Sequence, residues 1–160
     1  MNSTAKIFAF IGIFVVTGLA IYGSINILNA SKNKTTNNSV QAIVYKSPSC
    51  GCCGNYVPYL RKTGIDPEVK EMQNLSSIKE RYSIPSEMQS CHTTVIGKYF
   101  IEGHVPVEAI KKLLQEQPDI AGISLPGMPS GSPGMPGAKN EIFNIYAQTK
   151  QGQWVPFITL

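Results

Sequence analysis

The sequence predicts an α/β domain preceded by an apolar N-terminal segment. Short runs rich in β-forming residues alternate with helical patterns from residue 41 onward, and the first 30 residues contain a long uncharged run. Alternation of strands with helices is typical of α/β domains. With 160 residues, 42% hydrophobic and 15% charged, the chain has the composition of a folded domain rather than of a disordered segment.

The apolar segment at 7–28 contains 22 residues without a charge. About 20 such residues span a bilayer, whereas the apolar part of a signal peptide usually has about 7–15 residues. The residues before Ser31 form a poor cleavage site, so we expect residues 1–30 to be a retained membrane anchor, or uncleaved signal, with a removed signal peptide as the alternative. We expect a polar tether over 31–40 and the folded domain over 41–160.

The charge pattern excludes one class of partner and leaves the membrane orientation open. The net charge is only +4, and the lysines and arginines are scattered without interleaved aromatic residues, so no nucleic-acid partner is expected. Lys6 lies on one side of the apolar run, and Lys32 and Lys34 lie on the other. The positive-inside rule therefore does not fix the orientation.

The predicted elements of the domain follow the order β-α-β-α-β-β-α. QAIVYK at 41–46 predicts a buried strand, and the helical spacing of Tyr56, Val57 and Leu60 predicts a helix from about 53 to 63. The later elements are recognised by periodicity, caps and turn residues. They are a strand in the second half of 65–72, a helix over 74–82 capped by Asn74, a strand over 91–96, its hairpin partner over 99–103 and a helix over 106–116.

The C-terminal part adds a loop and a hairpin. Residues 122–138 contain Pro-Gly-Met-Pro twice, seven residues apart, so we expect a Pro/Gly/Met loop without strand or helix. Residues 140–149 and 154–160 are predicted to pair as a terminal hairpin. Pro156 would place the last strand at a sheet edge, because proline cannot donate to a ladder.

Three of the four cysteines, Cys50, Cys52 and Cys53, lie within CGCC, and the fourth, Cys91, lies in SCHTT. A purely structural disulfide framework is disfavoured, because a disulfide stabilises most by closing a long loop. A redox dithiol is a stronger alternative, since Cys50-x-x-Cys53 at a helix N-terminus would have a stabilised thiolate. The redox hypothesis, however, gives Cys52 and Cys91 no role.

A soft-metal site explains all four cysteines. Thiolates select Cu(I), zinc or iron–sulfur clusters. Zinc usually takes one tetrahedral shell from paired, distant Cys-x-x-Cys motifs, and the second motif is missing here. Crowded thiolates can bridge several Cu(I) ions, so copper is favoured, with zinc or another soft metal as the alternative.

The histidines and methionines are secondary candidates. His92 follows Cys91, and in a regular strand the two would point to opposite faces, unless the strand begins irregularly there. His104, in EGHVP, precedes the last helix, where packing or surface exposure is the commoner role. Met128 and Met135 are soft thioethers in the Pro/Gly/Met loop, with packing of that loop as the alternative.

The element order, with Cys-x-x-Cys between the first strand and the first helix, resembles the thioredoxin-like fold. Pro58, inside the predicted first helix, matches the kinking proline that such proteins commonly carry there. More specifically, CGCC, SCHT, EGHVP, AIKKLLQEQP and GMPxGSPGM, spread over about 44–135, resemble the domain-of-unknown-function 411 group, which includes the CopG-type copper-resistance proteins. The chain departs from that pattern at Tyr56 and Tyr59, where members often carry Trp and His.

The family resemblance implies a thioredoxin-like fold in the periplasm and a role in copper handling and resistance. It implies that Cys50, Cys52, Cys53 and Cys91 are thiolate ligands. It also makes His92 and His104 candidates for outer ligands or for donors to the ligands.

The resulting hypothesis is a membrane-anchored copper-binding protein whose domain lies in the periplasm or another extracytoplasmic compartment. It would hold Cu(I), either as a single ion or as a cluster of several ions. It could also cycle copper between Cu(I) and Cu(II), or pass copper to an efflux system. An enzyme is not expected. The rival hypothesis is a thiol–disulfide oxidoreductase that uses the Cys50-x-x-Cys53 pair.

Overall fold

The computed structural model describes residues 41–160. Within this range the chain forms seven strands in one mixed sheet, three α-helices and one turn of 3-10 helix, which confirms the α/β class. The predicted anchor (1–30) and tether (31–40) lie outside the described residues. The strands are β1 (Ala42–Lys46), β2 (Pro67–Glu71), β3 (His92–Ile96), β4 (Tyr99–Glu102), β5 (Ile120–Ser124), β6 (Asn144–Thr149) and β7 (Trp154–Thr159). The helices are α1 (Gly51–Lys62), α2 (Ser76–Arg81) and α3 (Val107–Glu116), with the 3-10 turn at Ser86–Met88.

The strand order across the sheet is β2-β1-β3-β4-β5-β6-β7. The pairs β1–β2 and β4–β5 are parallel, each with a helix in the connection, and the other pairs are antiparallel. In the β1–β3 pair, Lys46 at the end of β1 lies opposite His92 at the start of β3. The loop that follows β1 and the residue that precedes β3 therefore meet at one end of the sheet.

The core is built from the apolar faces of α1 and α3 and from the central strands. Tyr56, Val57 and Leu60 of α1 are buried, as the helical spacing predicted. Pro58 lies inside α1, as predicted, and is exposed to solvent. On α3 the buried residues are Val107, Ala109, Ile110 and Leu113, and they belong to the same apolar cluster as Val44, Ile101 and Ile123.

The prediction for residues 122–138 is wrong at its start, where a strand was missed. Residues 122–138 were expected to form a loop, but Gly122–Ser124 belong to β5, which pairs with β4. In the sequence, Gly122 looks like a loop residue, but the packing of β5 against β4 is what requires glycine at this position. A Cβ at this position would lie 2.3 Å from the carbonyl oxygen of Phe100. Pairing with β4 therefore determines that these residues form a strand, and the Pro/Gly/Met loop begins only after Leu125.

The terminal hairpin is confirmed, with β6 beginning at Asn144 rather than near residue 140. Pro156 lies in β7, and β7 is an edge strand, as predicted. From residue 41 to the C-terminus, no helix has the length and apolar character that a bilayer crossing requires.

Candidate metal centre

Three cysteines lie at the N-terminus of α1. The turn after β1 brings the chain round, and the Cys50 N–H donates to the Ser47 carbonyl at 3.1 Å. Cys50 occupies the N-cap position without a side-chain cap hydrogen bond, and Cys52 and Cys53 follow in the first turn. The first N–H groups of a helix have no partner within it and carry partial positive charge, so they favour thiolates at this end.

Cys91 is contributed by the other strand of the β1–β3 pair, because it directly precedes β3. It lies in a bend immediately before β3, at the sheet end that also carries the start of α1. Its Sγ lies 3.3 Å from Cys53 Sγ and 3.9 Å from Cys52 Sγ. Cys52 Sγ in turn lies 3.5 Å from Cys50 Sγ. The structure therefore brings all four predicted cysteines together.

Cys50 and Cys53 are joined by a disulfide, and Cys52 and Cys91 are free thiols. In this oxidised state two thiols remain available to a soft metal. Reduction of the disulfide would make four available at one place. A disulfide that spans only three residues closes too short a loop to stabilise the fold strongly.

His104 belongs to the same site. It follows β4 and is buried, and its Nε2 lies 3.0 Å from Cys91 Sγ. Its Nδ1 lies 2.7 Å from the Pro133 carbonyl oxygen, which can only accept, so Nδ1 carries the proton. Nε2 is then left with a lone pair directed at the cysteines. A backbone carbonyl that fixes the ring in this way is typical of metal-binding histidines.

His92 also lies at the site, although a regular strand would have turned it away from Cys91. The expectation of opposite faces fails because β3 begins only at His92, and Cys91 lies in the bend before it. His92 Nδ1 lies 3.4 Å from Cys91 Sγ. The side chain is fully buried, and its Nε2 has no hydrogen-bond partner within residues 41–160. A buried polar atom without a partner is uncommon and calls for an explanation such as an ion.

The possible ligand atoms form two overlapping sets, each within 4.8 Å. One contains the four cysteines, and the other contains Cys53, Cys91, His92 and His104. The two sets share Cys53 and Cys91, so these sulfurs could bridge ions held on either side. Thiolate and imidazole donors fit soft and borderline metals such as copper and zinc.

The surroundings of the site favour neutral forms of its groups in the absence of a metal. Burial, reinforced by the neighbouring Cys52, raises the pKa of Cys91 to about 12. Burial lowers the pKa of His92 well below its ordinary value, and the nearby His104 and Lys79 lower it further. Burial also lowers the pKa of His104, against the opposing effect of its hydrogen bond to Pro133. A neutral imidazole is the form that binds a metal, whereas a protonated thiol must lose its proton to do so.

Two elements enclose the histidines. Tyr56 is buried, donates to the Val105 carbonyl at 2.7 Å, and places its ring 4.6 Å from His92 and 5.5 Å from His104. The Pro/Gly/Met loop lies against the first turns of α1 at Gly134. A Cβ on Gly134 would lie 2.8 Å from the Tyr56 backbone nitrogen, so only glycine allows this approach.

The methionine candidates lie in the Pro/Gly/Met loop. Met128 is 54% exposed and lines a groove of about 580 Å³ together with Met88. The residues that line this groove include none of the four cysteines and neither histidine. Met135 is half-buried and follows Gly134. Ligation by Met128 or Met135 stays a prediction.

Sequence reasoning missed two contributors to the site. The Pro133 carbonyl orients His104. This contact depends on the path of the Pro/Gly/Met loop, and no residue pattern in the sequence predicts that path. The second is the buried ion pair between Lys79 of α2 and Glu102 of β4. The sequence held one signal for it, because Glu102 is a charged residue at the end of the apolar run YFIE.

Comparisons with known proteins agree on one family. A family profile described as "Protein of unknown function, DUF411" matches residues 88–135. The solved structure named "Copper resistance protein copG- Form 2" is 35% identical, with a TM-score of 0.70, and the match covers 75% of this chain and 97% of that one. The structure named "Copper resistance protein copG- Form 1" is 34% identical, also with a TM-score of 0.70, over 76% of this chain and 98% of that one.

A comparison with curated protein sequences finds no significant match. The match to the solved structures nevertheless covers almost their whole length at more than 30% identity, and it extends well beyond the segment that the family profile matches. The chain therefore belongs to the DUF411 family, together with the copper resistance protein CopG.

Proposed function

We propose that the chain is a copper-binding protein of copper homeostasis or resistance, which holds Cu(I) through the thiolates of Cys50, Cys52, Cys53 and Cys91. The observation that carries the proposal is the convergence of four cysteine sulfurs within 4.8 Å, three from the start of α1 and one from the bend before β3. The membership of a family with copper resistance proteins supports the choice of copper over zinc.

The donor set supports Cu(I) as the bound form. Cu(I) accepts soft sulfur ligands and is satisfied by few of them, so closely spaced thiolates can be shared between ions. Cys53 and Cys91 belong to both ligand sets, and this sharing supports a cluster of more than one copper ion. His92 and His104 add imidazole nitrogens, which also suit Cu(II). The mixed donors therefore support a site that can cycle between Cu(I) and Cu(II).

The setting of the site is part of the same proposal. Residues 7–28 would anchor the chain in a membrane, with residues 31–40 as tether and the folded domain in the periplasm or another extracytoplasmic compartment. The domain would bind copper in this compartment and pass it to an efflux system.

The thioredoxin-like assignment also belongs to the proposal. Its support is the arrangement β2-β1-β3-β4, in which α1 connects the parallel strands β1 and β2 and the cysteines lie at the start of α1. The fold would place a reactive sulfur site at the helix N-terminus, and Cys91 would enter it from the start of β3.

An anaerobic titration tests the proposed function. The full-length chain, purified in mild detergent and fully reduced, is titrated with Cu(I) in competition with a chromogenic chelator. We expect at least one tightly bound copper per chain and a near-ultraviolet thiolate-to-copper charge-transfer band. A chain that competes for less than one copper, or binds it without this band, would contradict the proposal. The variant in which all four cysteines are serine is the matched control.

A second candidate function is supported by the disulfide itself. Cys50 and Cys53 form a Cys-x-x-Cys disulfide at a helix N-terminus, and the free thiol of Cys91 lies 3.3 Å from Cys53 Sγ. These are the parts of a thiol–disulfide oxidoreductase. Insulin reduction by the copper-free chain separates the candidates. Catalysis that depends on Cys50 and Cys53, in a chain that fails the copper titration, would favour the oxidoreductase.

A further inference from the structure

The segment that carries Cys91 has little support from the sheet. Cys91 precedes β3, and β3 begins pairing with β1 only at His92. The Gln89 carbonyl accepts from the Gly127 N–H at 3.0 Å, and the Ser90 hydroxyl donates to the Gly127 carbonyl. These contacts join the segment to another loop. The position of Cys91 Sγ relative to Cys52, Cys53 and His104 therefore depends on the contacts that hold the preceding residue, Ser90.

Both backbone polar groups of Ser90 are bound by one buried ion pair. The Ser90 N–H donates to Glu102 Oε1 at 2.7 Å, and Lys79 Nζ donates to the Ser90 carbonyl at 2.9 Å. Lys79 and Glu102 also bind each other directly. Glu102 is fully buried and Lys79 nearly so.

Glu102 holds the chain on both sides of Cys91 and His92. Its Oε1 accepts from Ser90, and its Oε2 accepts from the Thr93 hydroxyl at 2.6 Å. The residue after β4 adds a further contact, because the Gly103 N–H donates to the His92 carbonyl at 2.9 Å. His104 follows directly, so the short stretch from the end of β4 to His104 fixes Cys91 and His92 and also carries His104.

Stability alone is a weak reason for this arrangement. Burying two charges is costly, and well-packed apolar residues usually stabilise a fold as much or more. Apolar side chains, however, could not bind a backbone N–H and a backbone carbonyl of the same residue. We propose that Lys79 and Glu102 are positioning residues, which hold Ser90 so that Cys91 and His92 face Cys53 and His104. This inference rests on the proposed copper site for its purpose, but the positioning itself can be tested without metal.

The first test measures copper binding in the reduced full-length chain. The double variant Lys79→Met/Glu102→Gln removes both charges, so neither is left buried and unpaired. The control, Lys112→Met/Glu116→Gln, makes the same changes in an exposed ion pair of α3. Loss of partners that orient metal ligands typically weakens metal affinity by about 10- to 100-fold, and we expect this for the buried pair only. Unchanged Cu(I) affinity in a folded double variant would overturn the proposal.

The second test separates failure of this inference from failure of the copper proposal. In the oxidised, metal-free Cys52→Ser chain, Cys91 is the sole free thiol among the four cysteines. We expect the double variant to speed alkylation of Cys91 several-fold at a fixed pH, because the segment is no longer held, and the control to leave the rate unchanged. Equal rates in both would overturn the proposal, whether or not the wild type binds copper.

A milder variant covers the case in which the double variant does not fold. Thr93→Val preserves the shape of the side chain and the ion pair but removes the hydroxyl that donates to Glu102 Oε2. We expect a smaller loss of Cu(I) affinity and a smaller rise in alkylation rate, in the same directions. If Thr93→Val leaves both quantities at the wild-type value, the positioning role is wrong. Lys79→Arg, which keeps the charge and the donors, is expected to retain most of the wild-type affinity.

Discussion

Gly134→Ala should detach the Pro/Gly/Met loop from the candidate metal centre. The new Cβ would lie 2.8 Å from the Tyr56 backbone nitrogen and 2.9 Å from the Cys52 carbonyl oxygen. Both contacts are with helix backbone, which cannot move aside as the end of a side chain could. Gly134 also has a φ of +85°, which an L-residue adopts only with strain. The substitution therefore adds two separate penalties.

The magnitudes can be worked out separately. Left-handed backbone costs a non-glycine residue about 1–2 kcal/mol, and overpacking typically costs about 1–3 kcal/mol. The sum for Gly134→Ala is about 2–5 kcal/mol, against a total stability of about 5–15 kcal/mol for a typical domain. Gly152→Ala is the matched control, because Gly152 has a φ of +82° and nothing within 4 Å of the added Cβ. It should lose only the about 1–2 kcal/mol of backbone strain.

Equilibrium urea unfolding of the metal-free chain measures the two losses. The protein can avoid the full overlap by lifting the loop, and the Pro133 carbonyl would then leave His104 Nδ1. We therefore expect Cu(I) affinity to fall about tenfold in Gly134→Ala, as for other lost partners of metal-binding histidines, and to stay unchanged in Gly152→Ala. The reasoning is refuted if the two variants lose equal stability and bind Cu(I) equally well.

Three further predictions concern the cysteines. Cys91→Ser should reduce Cu(I) binding more than Cys50→Ser, because Cys91 belongs to both ligand sets and Cys50 to one; equal losses in chelator competition would contradict the shared role. In the oxidised Cys52→Ser chain, burial should still hold the pKa of Cys91 high, so its alkylation rate should rise about tenfold per pH unit all the way from pH 7 to 9. A rise that slows clearly between pH 8 and 9 would indicate a thiol with the ordinary pKa of about 8.5 and would contradict this prediction. Reduction of the Cys50–Cys53 disulfide should raise the number of Cu(I) ions bound, since the oxidised chain offers only two thiols; no change in stoichiometry would exclude that pair as ligands.

Most of the fold could be predicted because its elements have strong local signals. The first strand, the amphipathic helices and the two hairpins follow from periodicity and turn residues. The predicted cap does not hold, because α2 begins at Ser76 with Leu75, and not Asn74, in the N-cap position. β5 could not, because Gly122 looks like a loop residue when considered alone. Its glycine is required by Phe100 on the neighbouring strand, and such a cause becomes visible only when the strands are paired.

The site shows the same division. The four cysteines could be selected from residue type and spacing, because few roles explain a Cys-x-Cys-Cys cluster with one distant partner. The place of His92 could not, since it depends on β3 beginning one residue after Cys91, where pairing with β1 ends. The orienting carbonyl of Pro133 and the Lys79–Glu102 pair likewise come from distant elements that tertiary packing brings together.

Anomalous diffraction at the copper edge tests the central claim most directly. Crystals of the reduced protein, loaded with Cu(I) under anaerobic conditions, locate the metal without any assumption about its ligands. The proposed function predicts anomalous density among Cys50, Cys52, Cys53 and Cys91, extending towards His92 and His104 where more than one ion binds. Copper-loaded crystals with anomalous density elsewhere and none between these sulfurs would contradict it.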